Sequence, residues 1–169
     1  MKYELVFTKN TKKIPKVLRE KSKEVKKIIP EILDLVDQMI KVMDENKGIG
    51  ISAVQVGVPI RVIVVKDCDQ NHVLINPKLK SFTRKEVAYN EGCLSFPDIF
   101  EDITRPEGVV VTAKNLDWKD MEVNADGLFA RCLLHELDHL EGVVFLDKIS
   151  KYQNIKFPIS SKAQISNKK

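Results

Sequence analysis

The pentapeptide His135-Glu136-Leu137-Asp138-His139 constrains this chain more than any other stretch. On an α-helix, side chains four positions apart share a face, so His135 and His139 would stand one turn apart and aim two imidazoles at one point. Glu136 is rotated from its neighbour by about 100°, close enough to serve a water beside a metal held between the two rings. The flanks favour a helix. Asp126 is placed to cap its start and Gly142 to end it, and Leu128, Phe129, Leu133, Leu137 and Leu140 supply apolar surface. A pattern this short also fits a buried helix whose two histidines are hydrogen-bonded core residues. The chain has three histidines and spends two of them here, mid-helix, where the four-residue spacing has its geometric meaning.

Bulk properties describe one globular unit. The 169 residues, 43% hydrophobic and 31% charged, are read as a single domain over 1–169. No apolar run is long enough for a membrane helix. The first residues, Met1-Lys2-Tyr3-Glu4-Leu5, carry no apolar signal core. Cys68, Cys93 and Cys132 are an odd set without paired spacing, which disfavours a disulfide framework and fits a reducing compartment. The expectation is a cytoplasmic protein with no membrane partner. Cys68 reads as a small buried hydrophobe.

The net charge of +4 hides an asymmetry. Residues 1–27 hold ten Lys/Arg and three acids, and residues 148–169 hold six Lys and no acid. Ends at about 1–12 and 150–169 are expected to be basic and flexible. They offer either solvated surface or weak attraction to a polyanion such as ribosomal RNA, and no sequence-specific nucleic-acid motif accompanies them.

Along the chain, Ile29, Ile32, Leu33, Val36, Met39, Ile40 and Met43 recur at helical spacing, with Pro30 suited to a first turn. This predicts an amphipathic helix over 28–43 that stops in Asn46-Lys47-Gly48. Gly48-Ile49-Gly50 allows a tight turn or a close approach of backbone to a ligand, and Gln55 is the one strong polar side chain among apolar neighbours. Strands are predicted over 61–66 and 72–76, the second ended by Pro77, and a third over 82–89. His72 is expected at a turn, exposed. Residues 91–97 read as a Gly/Pro-punctuated loop, 108–113 and 119–123 as a hairpin, and 143–146 as a short extended segment. Past Lys148 a fraying tail is expected. Short turns between strands favour antiparallel pairing. The predicted class is α+β: small antiparallel or mixed sheets around a central HExxH helix, with one further helix towards the N-terminus.

Two histidines are an incomplete site, because a catalytic zinc-type centre has three protein ligands and an open position. Upstream candidates for the third are Cys93, the carboxylates and Gln55. Cys93 lies in a Gly-flanked loop where a thiolate could be aimed, and a Cys-His-His set with one open position is a hydrolytic arrangement. An HExxH endopeptidase would draw its third ligand from downstream. No His follows His139, and Glu141 is too close in sequence to reach round easily.

Gly48-Ile49-Gly50-Ile51-Ser52-Ala53-Val54-Gln55, Glu91-Gly92-Cys93-Leu94-Ser95 and His135-Glu136-Leu137-Asp138-His139 together resemble the three ordered motifs of peptide deformylases. The likeness runs from about Val17 to about Asp147. It implies an enzyme that removes the formyl group from the N-terminal formyl-methionine of nascent polypeptides and releases formate. Cys93, His135 and His139 would hold one divalent metal, Fe2+ in the cell, with Zn2+, Ni2+ or Co2+ able to replace it in purified protein. Glu136 would move the proton, Gln55 and the Leu94 backbone N–H would stabilise the oxyanion, and Gly50 would bond the substrate backbone. Ile49, Tyr89, Leu128 and Cys132 would line the methionine pocket. Three positions depart from the usual pattern: Ser52 stands for a common Ala, Leu134 for a Gln, and Phe100 for an Arg that touches substrate in some members.

Overall fold

The computed structural model describes residues 2–149. Helix α1 spans Pro30–Glu45, with Pro30 in its first turn, where no N–H is needed. Ile32, Leu35, Val36, Met39, Val42 and Met43 form its buried stripe. Ile29 and Leu33, expected on that stripe, lie outside it and are partly exposed. Leu35 and Val42 take their share of the burial instead.

Among the described residues seven strands follow: β1 (Gly50–Ser52), β2 (Val62–Asp67), β3 (Gln70–Phe82), β4 (Glu86–Cys93), β5 (Phe96–Pro106), β6 (Gly108–Lys114) and β7 (Asp120–Asp126). Five of them form one sheet in the order β1-β2-β3-β6-β7, and β4 and β5 form a two-stranded sheet. Every pairing within the two sheets is antiparallel. Helix α2 (Gly127–Leu140) carries the histidine motif directly after β7. Asp126 takes the N-cap position with extended backbone but makes no side-chain capping bond. Gly142 closes the far end at φ +74, where an added Cβ would meet the Arg19 carbonyl at 2.5 Å. Helix and sheets thus assemble into the expected α+β architecture.

Several local expectations are corrected. Pro77 does not end the second strand. The register slips between Ile75 and Lys78, and Asn76 adopts φ +51, so the residue without an N–H sits in a bulge and β3 runs on to Phe82. Asn76 is held there by bonds of 2.8 Å in both directions with the Val25 backbone. The strand expected over 82–89 begins at Glu86 instead. Residues 91–97 are the end of β4, a two-residue turn at Leu94-Ser95 and the start of β5, so a hairpin replaces the loop. Gly50 begins an edge strand rather than a turn, and Phe145–Lys148 is a 3-10 turn. Cys68 is exposed at φ +51 in the β2–β3 turn, not buried. His72 is half-buried within β3, its ring 5.2 Å from that of Phe129.

The N-terminal lead-in, expected to be flexible, is tied down along the body. Tyr3 N–H donates to Gln38, Val6 N–H to the Gln55 carbonyl (2.7 Å) and Thr8 N–H to the Ser95 carbonyl (2.9 Å). The basic tail expected over 150–169 lies outside the described residues. Among those described, no helix is long and apolar enough to cross a membrane.

The core has three parts. One lies between α1 and one face of β1–β3, one between α2 and β2, β3, β6 and β7, and a smaller one joins Phe96 and Ile103 to Phe145. Between the second and third parts, α2 presents its polar residues to the β4–β5 hairpin and to the edge of β1.

Candidate metal centre and active site

His135 and His139 are both buried on α2, with their Nε2 atoms 3.2 Å apart. Cys93, at the end of β4, brings its Sγ to 3.2 Å from His139 Nε2. One donor atom from each residue lies within 4.8 Å of the others. Three lone-pair donors crowded round one point repel each other unless a proton or a cation sits among them. Burial disfavours a charge on His135, but the Cys93 sulfur and Glu91 outweigh burial and hold its pKa well above the ordinary histidine value. Negative charge therefore surrounds His135, which suits a cation among the three donors. His139 goes the other way: burial first, then the charge on His135, holds it well below its ordinary value. Two imidazoles and one sulfur around such a point fit a divalent metal of the zinc and iron class.

Glu91 orients this set. Its carboxylate accepts from His135 Nδ1 at 2.7 Å, which leaves Nε2 free to face the triad. The same carboxylate accepts from Arg105 at 2.8 and 2.7 Å and from Arg131 at 3.2 Å. Arg105 continues to Asp138 at 2.7 Å, and Arg131 to the carbonyls of Ile103 and Val87. Glu91, Arg105 and Arg131 are all buried. Burial alone would raise the Glu91 carboxyl, but Arg105 and His135 outweigh it and hold the carboxyl far below the usual range. These supporting residues went unread in the sequence. The available signal was Arg131, which stands four residues before His135 and so shares its helix face.

Glu136 lies beside the triad, with Oε2 buried and without a hydrogen-bond partner among the described residues. Burial pushes its carboxyl up to about 7. It packs tightly on β1: a Cβ at Gly50 would come within 2.7 Å of Glu136 Oε1 and 2.4 Å of Cys132 Sγ. A side chain at Gly50 would displace one of them. Gln55, 1% exposed in the 3-10 turn Ala53–Val56, accepts at Oε1 from Ser52 N–H (2.9 Å) and donates from Nε2 to Ser95 Oγ (3.2 Å). Its Nε2 also stands 3.6 Å from Cys93 Sγ.

A cavity of about 550 Å3 opens onto this point. Ten of the eleven residues expected from sequence line it: Cys93, His135, Glu136, Gln55, Leu94, Gly50, Ile49, Tyr89, Leu128 and Cys132. The eleventh, His139, lies behind, fully buried. Ile49, Tyr89 and Leu128 are large apolar residues about half exposed at the mouth, and the Cys132 thiol donates to the Ile49 carbonyl deeper in. Phe100 joins the rim, 63% exposed, and covers Gly92 so closely that a Cβ there would meet its ring at 2.6 Å.

Comparisons with known proteins agree with this geometry. Residues 8–154 match the family model for Polypeptide deformylase. The chain is 41% identical over 140 residues to a peptide deformylase of Agrobacterium fabrum, covering 80% of this chain and 82% of that protein. It is 44% identical over 139 residues to peptide deformylase 2 of Gloeobacter violaceus, covering 79% and 74%. Among solved structures, a peptide deformylase of Synechococcus elongatus in complex with actinonin superposes with a TM-score of 0.81 at 37% identity, covering 88% of this chain and 79% of that one. One of Ehrlichia chaffeensis, also with actinonin, gives 0.82 at 36%, covering 89% and 90%. With the family model spanning most of its length and relatives this similar over four-fifths of it, the chain belongs to the polypeptide deformylase family.

Proposed function

We propose that Cys93, His135 and His139 hold the metal of a peptide deformylase and that Glu136, Gln55 and Leu94 act on the formyl group beside it. The enzyme is a metal-dependent hydrolase that removes the formyl group from the N-terminal formyl-methionine of newly made polypeptides. The observation that carries the assignment of residues is the meeting of Cys93 Sγ with two imidazole Nε2 atoms at the floor of a cavity that also holds Glu136 and Gln55.

The metal, when bound, supplies a Lewis acid that makes water acidic enough to act as a nucleophile near neutral pH. Glu136 takes the proton from the attacking water and passes it to the departing amine, so that formamide and water leave as formate and a free amino group. Its burial suits this, since a base in a dry site with a raised pKa can both accept and release a proton. Gln55 Nε2–H and the Leu94 backbone N–H donate to the oxyanion that develops on the formyl oxygen, and a donor so placed is worth ~10²–10³ in rate. The methionine side chain enters between Ile49, Tyr89, Leu128 and Cys132. The outer edge of β1 at Gly50 pairs with the peptide backbone.

Fe2+ is the metal we propose for the cell, with Zn2+, Ni2+ or Co2+ able to take its place after purification. The sulfur ligand supports a metal of that class over Mg2+ or Ca2+, which prefer oxygen. Three cysteines without disulfides fit work in the cytoplasm on nascent chains. A ribosome would meet the lysines of the basic N-terminal stretch, of which Lys9, Lys21 and Lys26 are already engaged with acids. Hydrolysis of formyl-Met-Ala-Ser, followed by formate release on protein loaded anaerobically with one equivalent of Fe2+, tests the reading. Formate should appear in step with peptide consumption. Cleavage of the internal peptide bonds without formate would overturn it.

A further inference from the structure

The Gln55 amide is held from both ends, and one of its holders is a residue the three motifs do not assign. Ser52 precedes the 3-10 turn that carries Gln55 three positions later, so the two side chains face each other across one turn. Ser52 is fully buried and Gln55 nearly so. The Ser52 backbone N–H donates to Gln55 Oε1 at 2.9 Å, and the Ser52 hydroxyl reaches the same oxygen at 3.0 Å. An amide group rotated by half a turn exchanges its oxygen and nitrogen at little intrinsic cost, so its neighbours decide which end points where. Here two donors converge on one end, and the other end, Nε2, is left to face Ser95 Oγ and the Cys93 sulfur.

We propose that Ser52 is a positioning residue of this enzyme, whose hydroxyl fixes the Gln55 amide with Nε2 turned towards the reacting carbonyl. The proposal rests on the reading of Gln55 as an oxyanion donor. Deprived of the hydroxyl, the amide keeps the backbone N–H as its single donor at Oε1 and gains room to tilt. The donor then meets the developing charge off line. Such a loss falls on the transition state, where the oxyanion exists, and not on ground-state binding.

The test is a double-mutant cycle on metal-loaded protein, with kcat and KM for formyl-Met-Ala-Ser measured for wild type, Ser52→Ala, Gln55→Ala and the double variant. Removing one neutral hydrogen bond should lower kcat about threefold to tenfold, with KM and metal content unchanged. In the Gln55→Ala background, Ser52→Ala should change nothing further. Unchanged kcat in Ser52→Ala, or an equal loss in both backgrounds, overturns the proposal while the role of Gln55 stands. Wild-type kcat in Gln55→Ala would instead remove the reading of Gln55 itself. If the alanine variant does not fold, Ser52→Cys keeps the volume and supplies only a weak donor, and the same cycle applies to it.

Discussion

Replacing Glu91 with Gln should weaken both the fold and the metal site, by amounts the geometry sets. In the native protein this carboxylate receives four donors: two from Arg105, one from Arg131 and one from His135. The amide of the variant would keep the shape, lose the charge and bring an NH2 group to face donors. Arg105 would retain Asp138, which is partly exposed, and Arg131 would retain two carbonyls. Removing one member of a buried ion pair costs ~3–5 kcal/mol, the expected loss in a urea denaturation series. The loss should depend on pH. The Glu91 carboxyl sits below its unfolded value, so its contribution is present in full above the ordinary carboxylate pKa of about 4.3. The contribution is lost as pH falls and native Glu91 must take up a proton. The wild-type and Glu91→Gln curves should therefore lie apart at neutral pH and draw together as the medium is made acidic. The second readout is metal affinity. With Glu91 no longer accepting from His135 Nδ1, ring orientation and tautomer are free to change, and loss of such a partner typically costs about 10–100-fold in affinity. A competition titration with a chromophoric chelator measures it. A stability loss under about 1 kcal/mol, well short of the buried-pair range, together with unchanged metal affinity would refute the reasoning. A full stability loss with unchanged affinity would confine Glu91 to the fold.

Further outcomes follow from the same geometry. Glu136→Ala should keep one metal per chain by elemental analysis and lose turnover, because the ligands are untouched and the proton carrier is gone. In the wild-type enzyme, kcat/KM should fall on the acid side as Glu136 is protonated. The limb should lie between the ordinary carboxylate value of about 4.3 and the value of about 7 to which burial raises it, since a metal cation nearby draws it down. Gly50→Ala should raise KM or abolish turnover, as its methyl would meet Cys132 Sγ at 2.4 Å and Glu136 Oε1 at 2.7 Å. Val6→Pro deletes the N–H that donates to the Gln55 carbonyl, whereas Val6→Ala keeps it. The proline variant should lose activity relative to the alanine one.

What the sequence made legible was what it places close together. The α2 pattern needs only its own residues: a spacing of four sets the two histidines, and Asp126 and Gly142 mark the ends. The β6–β7 hairpin is equally local, with alternating residues on either side of one turn. Strand β5 was missed because its alternation is disguised. Its exposed positions include Phe100 as well as Asp98 and Asp102, and its buried ones include Arg105, a charge where an apolar residue is looked for, with Pro97 and Pro106 near its ends. Strand β3 was cut short at Pro77 because a bulge closed by bonds between the Asn76 side chain and the Val25 backbone, 51 positions away in sequence, leaves no local mark. The site divides in the same way. Cys93 could be nominated from its glycine-flanked setting, but the Glu91 cluster draws on β4, β5 and α2, and each member read alone resembles a surface charge. Burial turns those charges into a requirement, because the buried guanidinium groups of Arg105 and Arg131 and the buried Nδ1–H of His135 must share an acceptor, and Glu91 is the one placed between them. The same necessity holds the β4–β5 hairpin, and with it Cys93, against α2. The residues that make the metal site and those that close the fold around it are therefore coupled through one carboxylate, and a change at Glu91 should register in both.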